Sequence, residues 1–239
     1  MTAIIKREIS SYFTSPLGYV FLAAFYAFSG LFLWMNCLSS GNSDMSGVFL
    51  LMFFVILVII PVLTMRTFAE ERRQNTDRLA LSSPVSLFGI VFGKFVAAFF
   101  VYFCATLVML VYAVFLAVAT GNSGSVYNWP AFWGNFAAML LLGAVFTAID
   151  VFISSLTDNQ MIAALGSIGA NIVVCSFDIV SGYVSDENFK KVIDFLSVFG
   201  KYSEFTQGIF SLASVVFFLS LTGMFIFLAT RVLERRRRA

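Results

Sequence analysis

The sequence contains no histidine, and charged residues make up only 12% of its 239 positions. Without histidine the chain can build neither a histidine-based catalytic triad nor a histidine metal site. A soluble domain usually has about 25% charged residues, so this chain has too few to cover a surface in water. The three cysteines, Cys37, Cys104 and Cys175, are far apart in the sequence, and we expect them to pack against neighbouring side chains.

Long apolar runs take the place of the missing polar residues, and hydrophobic residues make up 60% of the chain. A helix of about 20 apolar residues matches the ~30 Å hydrocarbon layer of a bilayer. Backbone groups in lipid need internal partners, and the runs lack the alternation of barrel strands, so each run should be a helix. The sequence therefore predicts an all-α polytopic membrane protein, with residues 1–239 as a single transmembrane domain. The six predicted spans are Leu17–Leu38, Gly47–Thr64, Leu87–Ala119, Ala131–Leu156, Met161–Val184 and Ile209–Val232.

Two further helices are predicted beside the spans. Residues 1–15 should form an amphipathic helix on the membrane surface, and Ser15-Pro16 should begin the first span. Residues 185–208 should contain an outer-face amphipathic helix that begins at Ser185 and ends at Gly200. In the first helix the apolar face consists of Ile5, Ile9, Tyr12 and Phe13, and Lys6, Arg7, Ser10 and Thr14 lie mostly off it.

The basic residues predict the orientation in the membrane. Six spans put both termini on one side, and that side then carries 12 of the 15 lysines and arginines. The positive-inside rule assigns this side to the cytoplasm. The terminal "RVLERRRRA" directly follows a span, so we expect it to bind anionic lipid, not nucleic acid. The twelve are Lys6, Arg7, Arg66, Arg72, Arg73, Arg78, Lys94, Arg231 and residues 235–238.

The first cytoplasmic loop, residues 65–86, is the longest strongly polar stretch and carries helix signals. Thr67 to Glu70 fits a capping box. Thr76 can begin a second, short helix on which Leu79 and Leu81 form an apolar side, and Ser83-Pro84 can end it and begin the third span. Such a helix can bind a groove on a partner protein. A solvated connector is the alternative.

Asp150 and Asp178 lie within apolar spans. Acidic residues are rare at such positions and are often functional, so both are candidate residues of a transport pathway. Water or a neighbouring helix could also satisfy either carboxyl group.

The polar loop "EERRQNTDRLALSSPVS" resembles the first cytoplasmic loop of ABC-2 type transporter permeases, which commonly read E-x-x-x-x-G-T-x-E-x-L-L-x-x-P-V. The chain departs from this pattern at Asn75, Arg78 and Ala80. "IIKREISSYFTSPLGYV", "SSLTDNQMIAA", "FTQGIF" and "LERRRR" extend the resemblance along the chain, nearest to gliding-motility and nitrous-oxide-reductase-maturation permeases. The matching loop positions are Glu71, Thr76, Leu79, Leu81, Pro84 and Val85.

This resemblance implies a subunit of an exporter in the bacterial cytoplasmic membrane. Its partners would be a second copy or a related permease, membrane lipids, and a pair of cytoplasmic ABC ATPase subunits that bind the loop helix. ATP and magnesium would be bound by those ATPase subunits. The implied coupling residues are Glu71, Arg72, Thr76, Arg78, Leu79, Leu81 and Pro84.

The chain itself lacks an ATP site. "GIVFGKF" (Gly89–Phe95) has three residues between its glycines where a phosphate-binding loop has four, and Phe95 replaces the required serine or threonine. It fits helix packing through Gly89 and Gly93 better. The alternatives to an ABC permease are a secondary transporter or channel without an ATPase, a membrane scaffold, or a membrane enzyme, for which no nucleophile motif is present.

Overall fold

A computed structural model describes residues 2–73, 86–122, 127–181, 197–208 and 211–238. Within these ranges the regular structure is entirely helical, which confirms the predicted all-α class. A π-helical turn, Trp34–Leu38, continues the second helix. The helices are α1 (Thr2–Thr14), α2 (Pro16–Leu33), α3 (Ser46–Thr64), α4 (Ala69–Arg73), α5 (Leu87–Thr106), α6 (Val108–Asn122), α7 (Trp129–Leu156), α8 (Gln160–Ser181), α9 (Val198–Thr206) and α10 (Leu212–Arg238).

Six helical segments are long and apolar enough to cross a membrane, as predicted, so this is a multi-pass membrane protein. Span two runs past its predicted end, because a turn at residues 65–68 joins α3 to α4. Span three contains a break at Leu107, between α5 and α6. In chain order the spans are Pro16–Leu38, Ser46–Arg73, Leu87–Gly121, Trp129–Leu156, Gln160–Phe177 and Leu212–Arg237.

Serine side chains cap the first turns of two spans. Ser15 accepts from the backbone of Leu17 at 3.2 Å, with Pro16 in the first turn, as predicted. Span three begins at Leu87, as predicted, but its cap is Ser86, which accepts from the backbone of Gly89 at 3.2 Å. The residues predicted to begin this span, Ser83-Pro84, lie outside the described part of the chain.

Span four, α7, is the most buried of the six, and it packs against α3, α5, α8 and α10. Tyr102 of α5 packs across it so closely that a Cβ atom at Gly143 would lie 2.0 Å from the tyrosine ring. The Tyr102 hydroxyl also donates to the carbonyl oxygen of Met139 at 2.7 Å. Large apolar side chains such as Val118 and Leu165 remain exposed on the outside of the bundle, as lipid-facing surfaces require.

The amphipathic character of α1 is confirmed. Tyr12 is buried, whereas Lys6 and Ser10 are exposed. The chain turns tightly from α1 into α2, so a Cβ atom at Gly18 would lie 2.4 Å from the carbonyl oxygen of Tyr12. Only glycine fits at this crossing, which brings α1 against the end of the bundle.

The predicted outer-face helix lies mostly outside the described residues, but its predicted end at Gly200 is wrong. Gly200 lies in the first turn of α9, whose cap is Ser197, with 2.9 Å between the Gly200 nitrogen and the serine oxygen. The buried Tyr202 explains the difference, because its hydroxyl donates to the carbonyl oxygen of Phe49 at 2.8 Å and holds α9 against α3. The predicted start, Ser185, lies outside the described residues.

Candidate functional site at one end of the bundle

Several polar segments meet at one end of the bundle, which we call the inner end: α1, residues 65–73, the start of α5, the turn at residues 157–159 and the end of α10. Arg66 donates to the hydroxyl of Ser15 at 2.9 Å and joins the end of span two to the start of span one. Arg236 donates to the carbonyl oxygen of Leu156 at 3.1 Å and joins α10 to the end of α7. An arginine at a helix C-terminus also complements the helix dipole. The first and last described helices therefore reach the same end of the molecule.

The helix α4 is capped by a side chain from another span. The hydroxyl oxygen of Ser154, on α7, lies 3.1 Å from the backbone nitrogen of Phe68 and 3.3 Å from that of Ala69. The predicted capping box is therefore wrong. Thr67 shares a 3.2 Å hydrogen bond with Tyr12 of α1, and Glu70 pairs with Arg66.

A compact group of four charges, the Lys94 cluster, consists of Arg7 and Glu8 on α1, Glu71 on α4 and Lys94 on α5. The Lys94 ammonium lies 2.9 Å from the Glu71 carboxylate and 3.5 Å from that of Glu8, although its side chain is only 1% exposed. Arg7 pairs with Glu8 at 2.6 Å and with Glu71 at 3.3 Å. Two cations and two anions thus balance in charge.

The Lys94 ammonium has three N–H donors, and a third oxygen completes its surroundings. The ammonium donates to the carbonyl oxygen of Thr67 at 2.7 Å. It also lies 5.0 Å from the ring centroid of Phe68, within range of a cation–π contact. A buried lysine without such partners would cost several kcal/mol of desolvation, so these contacts hold the charge in a span that is otherwise apolar.

On its other side, α4 is tied to the end of span four. Arg72 forms an ion pair with Asp158 and donates to the carbonyl oxygen of Ser155 at 3.2 Å. The Arg72 side chain is 16% exposed, whereas that of Asp158 is 66% exposed, so solvent screens this pair much as it screens a surface pair. Together with the Ser154 cap, these contacts place residues 65–73 between span four on one side and the Lys94 cluster on the other.

Burial also fixes the protonation state of Tyr12 at this end. Removal from water raises its pKa to about 12, against the opposing effect of the hydrogen bond to Thr67. The phenol therefore stays neutral at physiological pH, and the link between α1 and residues 65–73 does not depend on pH there.

Deeper in the bundle, Asp150 joins spans two, four and five. Its carboxyl group is fully buried and accepts from the side-chain amide of Asn171 at 3.0 Å and from the hydroxyl of Thr64 at 3.4 Å. The amide oxygen of Asn171 is buried, and no residue in the described part of the chain forms a hydrogen bond with it. Among the described residues no lysine or arginine forms an ion pair with Asp150, so neutral groups alone satisfy this acid.

The predicted site residues fall into three groups in the structure. Glu71 and Arg72 lie on α4 and pair with residues of this same chain. Asp150 is buried as described, whereas Asp178 lies in the last turns of α8 with its side chain outside the described part. The rest lie outside the described residues, namely Thr76, Arg78, Leu79, Leu81 and Pro84.

Sequence reasoning missed Glu8, Lys94, Ser154 and Asn171 as parts of these networks. Each gives only a weak signal: Glu8 is one of several polar residues on α1, Ser154 stands beside Ser155, and Lys94 and Asn171 lie in apolar spans. An isolated charge in a span indicates a buried partner, and that signal could have singled out Lys94. It could not have identified the partners, which lie 86 and 23 positions away at Glu8 and Glu71.

The segment Gly89–Phe95 lies within the continuous helix α5, with Gly89 and Gly93 buried, so its backbone does not form a phosphate-binding loop. Among the described residues, no group of three or more cysteine, aspartate or glutamate side chains could hold a metal ion.

Comparison with known proteins identifies the family. A search of curated proteins found no match. A family model described as "ABC-2 family transporter protein" matches residues 2–236. The match includes all six spans and the inner-end segments described above. The members of this family are non-catalytic membrane subunits of transporters that work with ABC ATPases. The chain therefore belongs to the ABC-2 family of transporter membrane proteins.

Proposed function

We propose that this protein is the membrane subunit of an ATP-driven exporter and that a separate pair of cytoplasmic ABC ATPase subunits drives it. Family membership supports the transport role. The observation that carries the coupling role is the anchoring of residues 65–73, because Ser154 and Asp158 bind them on one side and Lys94 on the other. A segment that transmits force must be attached firmly to what it moves.

In this proposal residues 74–85 bind the ATPase and residues 65–73 transmit its movement. The predicted helix Thr76–Leu81 docks into a cleft of the ATPase, where Leu79 and Leu81 supply apolar contact and Arg78 meets acidic groups. Burying one leucine contributes roughly 1.5–3 kcal/mol, whereas a rim ion pair contributes about 0–1 kcal/mol. Glu71 and Arg72 act as anchors within the permease, since their partners are Lys94, Arg7 and Asp158.

The inner end faces the cytoplasm in this proposal. The structure brings α1, residues 65–73 and the end of α10 to that end, and α1, residues 65–73 and residues 235–238 together hold nine of the 15 lysines and arginines. The positive-inside rule favours the cytoplasm for this side. Residues 185–208 then lie on the outer side.

The active transporter contains two permeases, either two copies of this chain or this chain and a relative of the gliding-motility or nitrous-oxide-reductase-maturation subgroup. Asp150 and Asp178 contribute to the pathway. For Asp150 the support is its full burial between three spans without a cationic partner in the described structure.

The test of this function is the double substitution Leu79→Asp with Leu81→Asp. We expect this variant to insert and fold, because neither position faces lipid in the proposal. It should lose the ATPase in a pull-down, or hydrolyse ATP without transport. The matched control is Ser82→Asp with Ser83→Asp, which adds the same charge to the same loop and keeps both leucines.

Mass spectrometry and ATP hydrolysis identify the ATPase recovered with the wild-type complex, and size-exclusion chromatography of the permease checks its folding. Normal ATPase recovery and normal coupled activity in the leucine variant would refute the docking role. A wild-type protein that transports without any ATPase would instead favour a secondary transporter or channel.

A further inference from the structure

The Lys94 cluster joins three elements that the sequence separates widely. Arg7 and Glu8 belong to α1, Glu71 to α4, and Lys94 to the second turn of α5. The cluster is therefore the place where the interfacial helix, the segment leading to the first loop and span three are held together.

Stability alone does not explain a buried lysine at this position. Apolar side chains in place of the whole set of paired charges would fill the same space without desolvating them, and replacing a buried ion pair in this way is often neutral or stabilising. Charge pairing instead fixes which groups meet, because the ammonium requires oxygen atoms at defined positions. Lys94 finds them on Glu71, on Glu8 and on the backbone of Thr67.

Two neighbouring contacts also join residues 65–73 to α1. The hydroxyls of Tyr12 and Thr67 lie 3.2 Å apart, and Arg66 donates to Ser15. Both contacts join residues 65–73 to α1 or to its end. The interfacial helix is thus attached to this segment through side chains along its buried face, in addition to its chain connection to α2.

We propose that Lys94 is a positioning residue for energy coupling: it binds α1 and α4 to span three, so that the three elements move as one body when the ATPase acts on the loop. This inference rests on the proposed function. It assigns α1 to the moving part of the transporter, whereas a passive surface helix would stay in place during the ATPase cycle.

Hydrogen–deuterium exchange on the purified permease–ATPase complex tests the proposal without knowledge of the substrate. Backbone exchange is compared without nucleotide and after trapping with ATP and orthovanadate. In the wild type we expect trapping to change exchange in α1, α4 and the first turns of α5 together. In Lys94→Met the change should persist in α4 and be reduced in α1 (Thr2–Thr14), which keeps its contacts with residues 65–73 through Arg7, Tyr12 and Ser15.

Two further variants separate positioning from general damage. Lys94→Arg keeps a cation that faces both Glu71 and Glu8, so this variant should retain the response of α1. Arg231→Met removes a cation from an exposed pair with Glu234 on α10, and this control should respond like the wild type. If Lys94→Met does not fold, Glu8→Gln takes its place, since it removes the α1 carboxylate and leaves Lys94 paired with Glu71.

An unchanged response of α1 in the Lys94→Met complex, or in Glu8→Gln where that variant is used, would overturn the positioning role. A wild-type complex in which α4 itself does not respond to trapping would overturn the proposed coupling function on which the inference rests. The two failures are therefore distinguishable within one experiment.

Discussion

The hydroxyl of Ser154 caps α4 by accepting from the backbone nitrogens of Phe68 and Ala69 at 3.1 and 3.3 Å. Span four thus completes the helix that leads from span two into the first loop. Since the cap comes from a different helix, removing it should loosen the packing between the two spans as well as α4 itself.

For Ser154→Ala we expect a loss of about 0.5–2 kcal/mol of stability, the usual effect of removing a cap. The thermal unfolding midpoint in detergent should fall. Ser176→Ala is the matched control, because that exposed hydroxyl donates only to Ile172 of its own helix, at 2.7 Å. Equal midpoints for the two variants would contradict a capping role for Ser154.

Gly143→Ala should destabilise the bundle by about 1–3 kcal/mol, the usual result of overpacking. The new Cβ atom would lie 2.0 Å from the Tyr102 ring, and moving that ring would break its hydrogen bond to Met139. Gly223→Ala is the control, since nothing lies within 4 Å of a Cβ atom there, and alanine should favour the helix by up to about 1 kcal/mol. Thermal unfolding of both variants measures the difference, and a Gly143→Ala protein as stable as the wild type would exclude this contact.

Asp150→Asn should preserve assembly and alter transport or the ATP turnover coupled to it. Asparagine keeps the size of the side chain and can still bond to Asn171 and Thr64, but it cannot carry a negative charge or release a proton. Size-exclusion chromatography checks assembly, and reconstituted complexes report turnover. Asp178→Asn is measured in parallel. Wild-type behaviour of both variants would refute a role for these two acids in the pathway.

The orientation predicts the labelling of cysteines placed at Asp186 and Arg236 in a cysteine-free background. In intact cells an impermeant thiol reagent should modify the first and not the second, because residue 186 would be outside and the α10 end would be cytoplasmic. Permeabilised cells provide the control, in which both should react. Labelling of position 236 alone in intact cells would reverse the assignment.

The spans were predictable because their signal is local and repeated. An apolar run of sufficient length requires a helix in lipid whatever surrounds it, and caps such as Ser15 are visible from neighbouring residues. Span three shows the limit of local signals, because Ser83-Pro84 was predicted to begin it and the structure caps it with Ser86 instead.

The inner-end contacts were not predictable, because they depend on which helices become neighbours. Thr67 has the pattern of a cap, yet Tyr12 binds its hydroxyl and Ser154 replaces it from 87 positions away. Gly200 likewise has the pattern of a helix end, yet the anchoring of Tyr202 on Phe49 keeps it within α9. Tertiary packing overrode local preference at both positions.

The Lys94 cluster also has a consequence for biogenesis, because chain order determines which charges are made first. Synthesis proceeds from the N-terminus, so Glu8 and Glu71 both precede Lys94. A lone ammonium is costly within a membrane, whereas this one reaches the bilayer after both of its carboxylate partners. We therefore expect span three to insert next to counter-charges that are already made, so that its lysine need not wait for any later part of the chain.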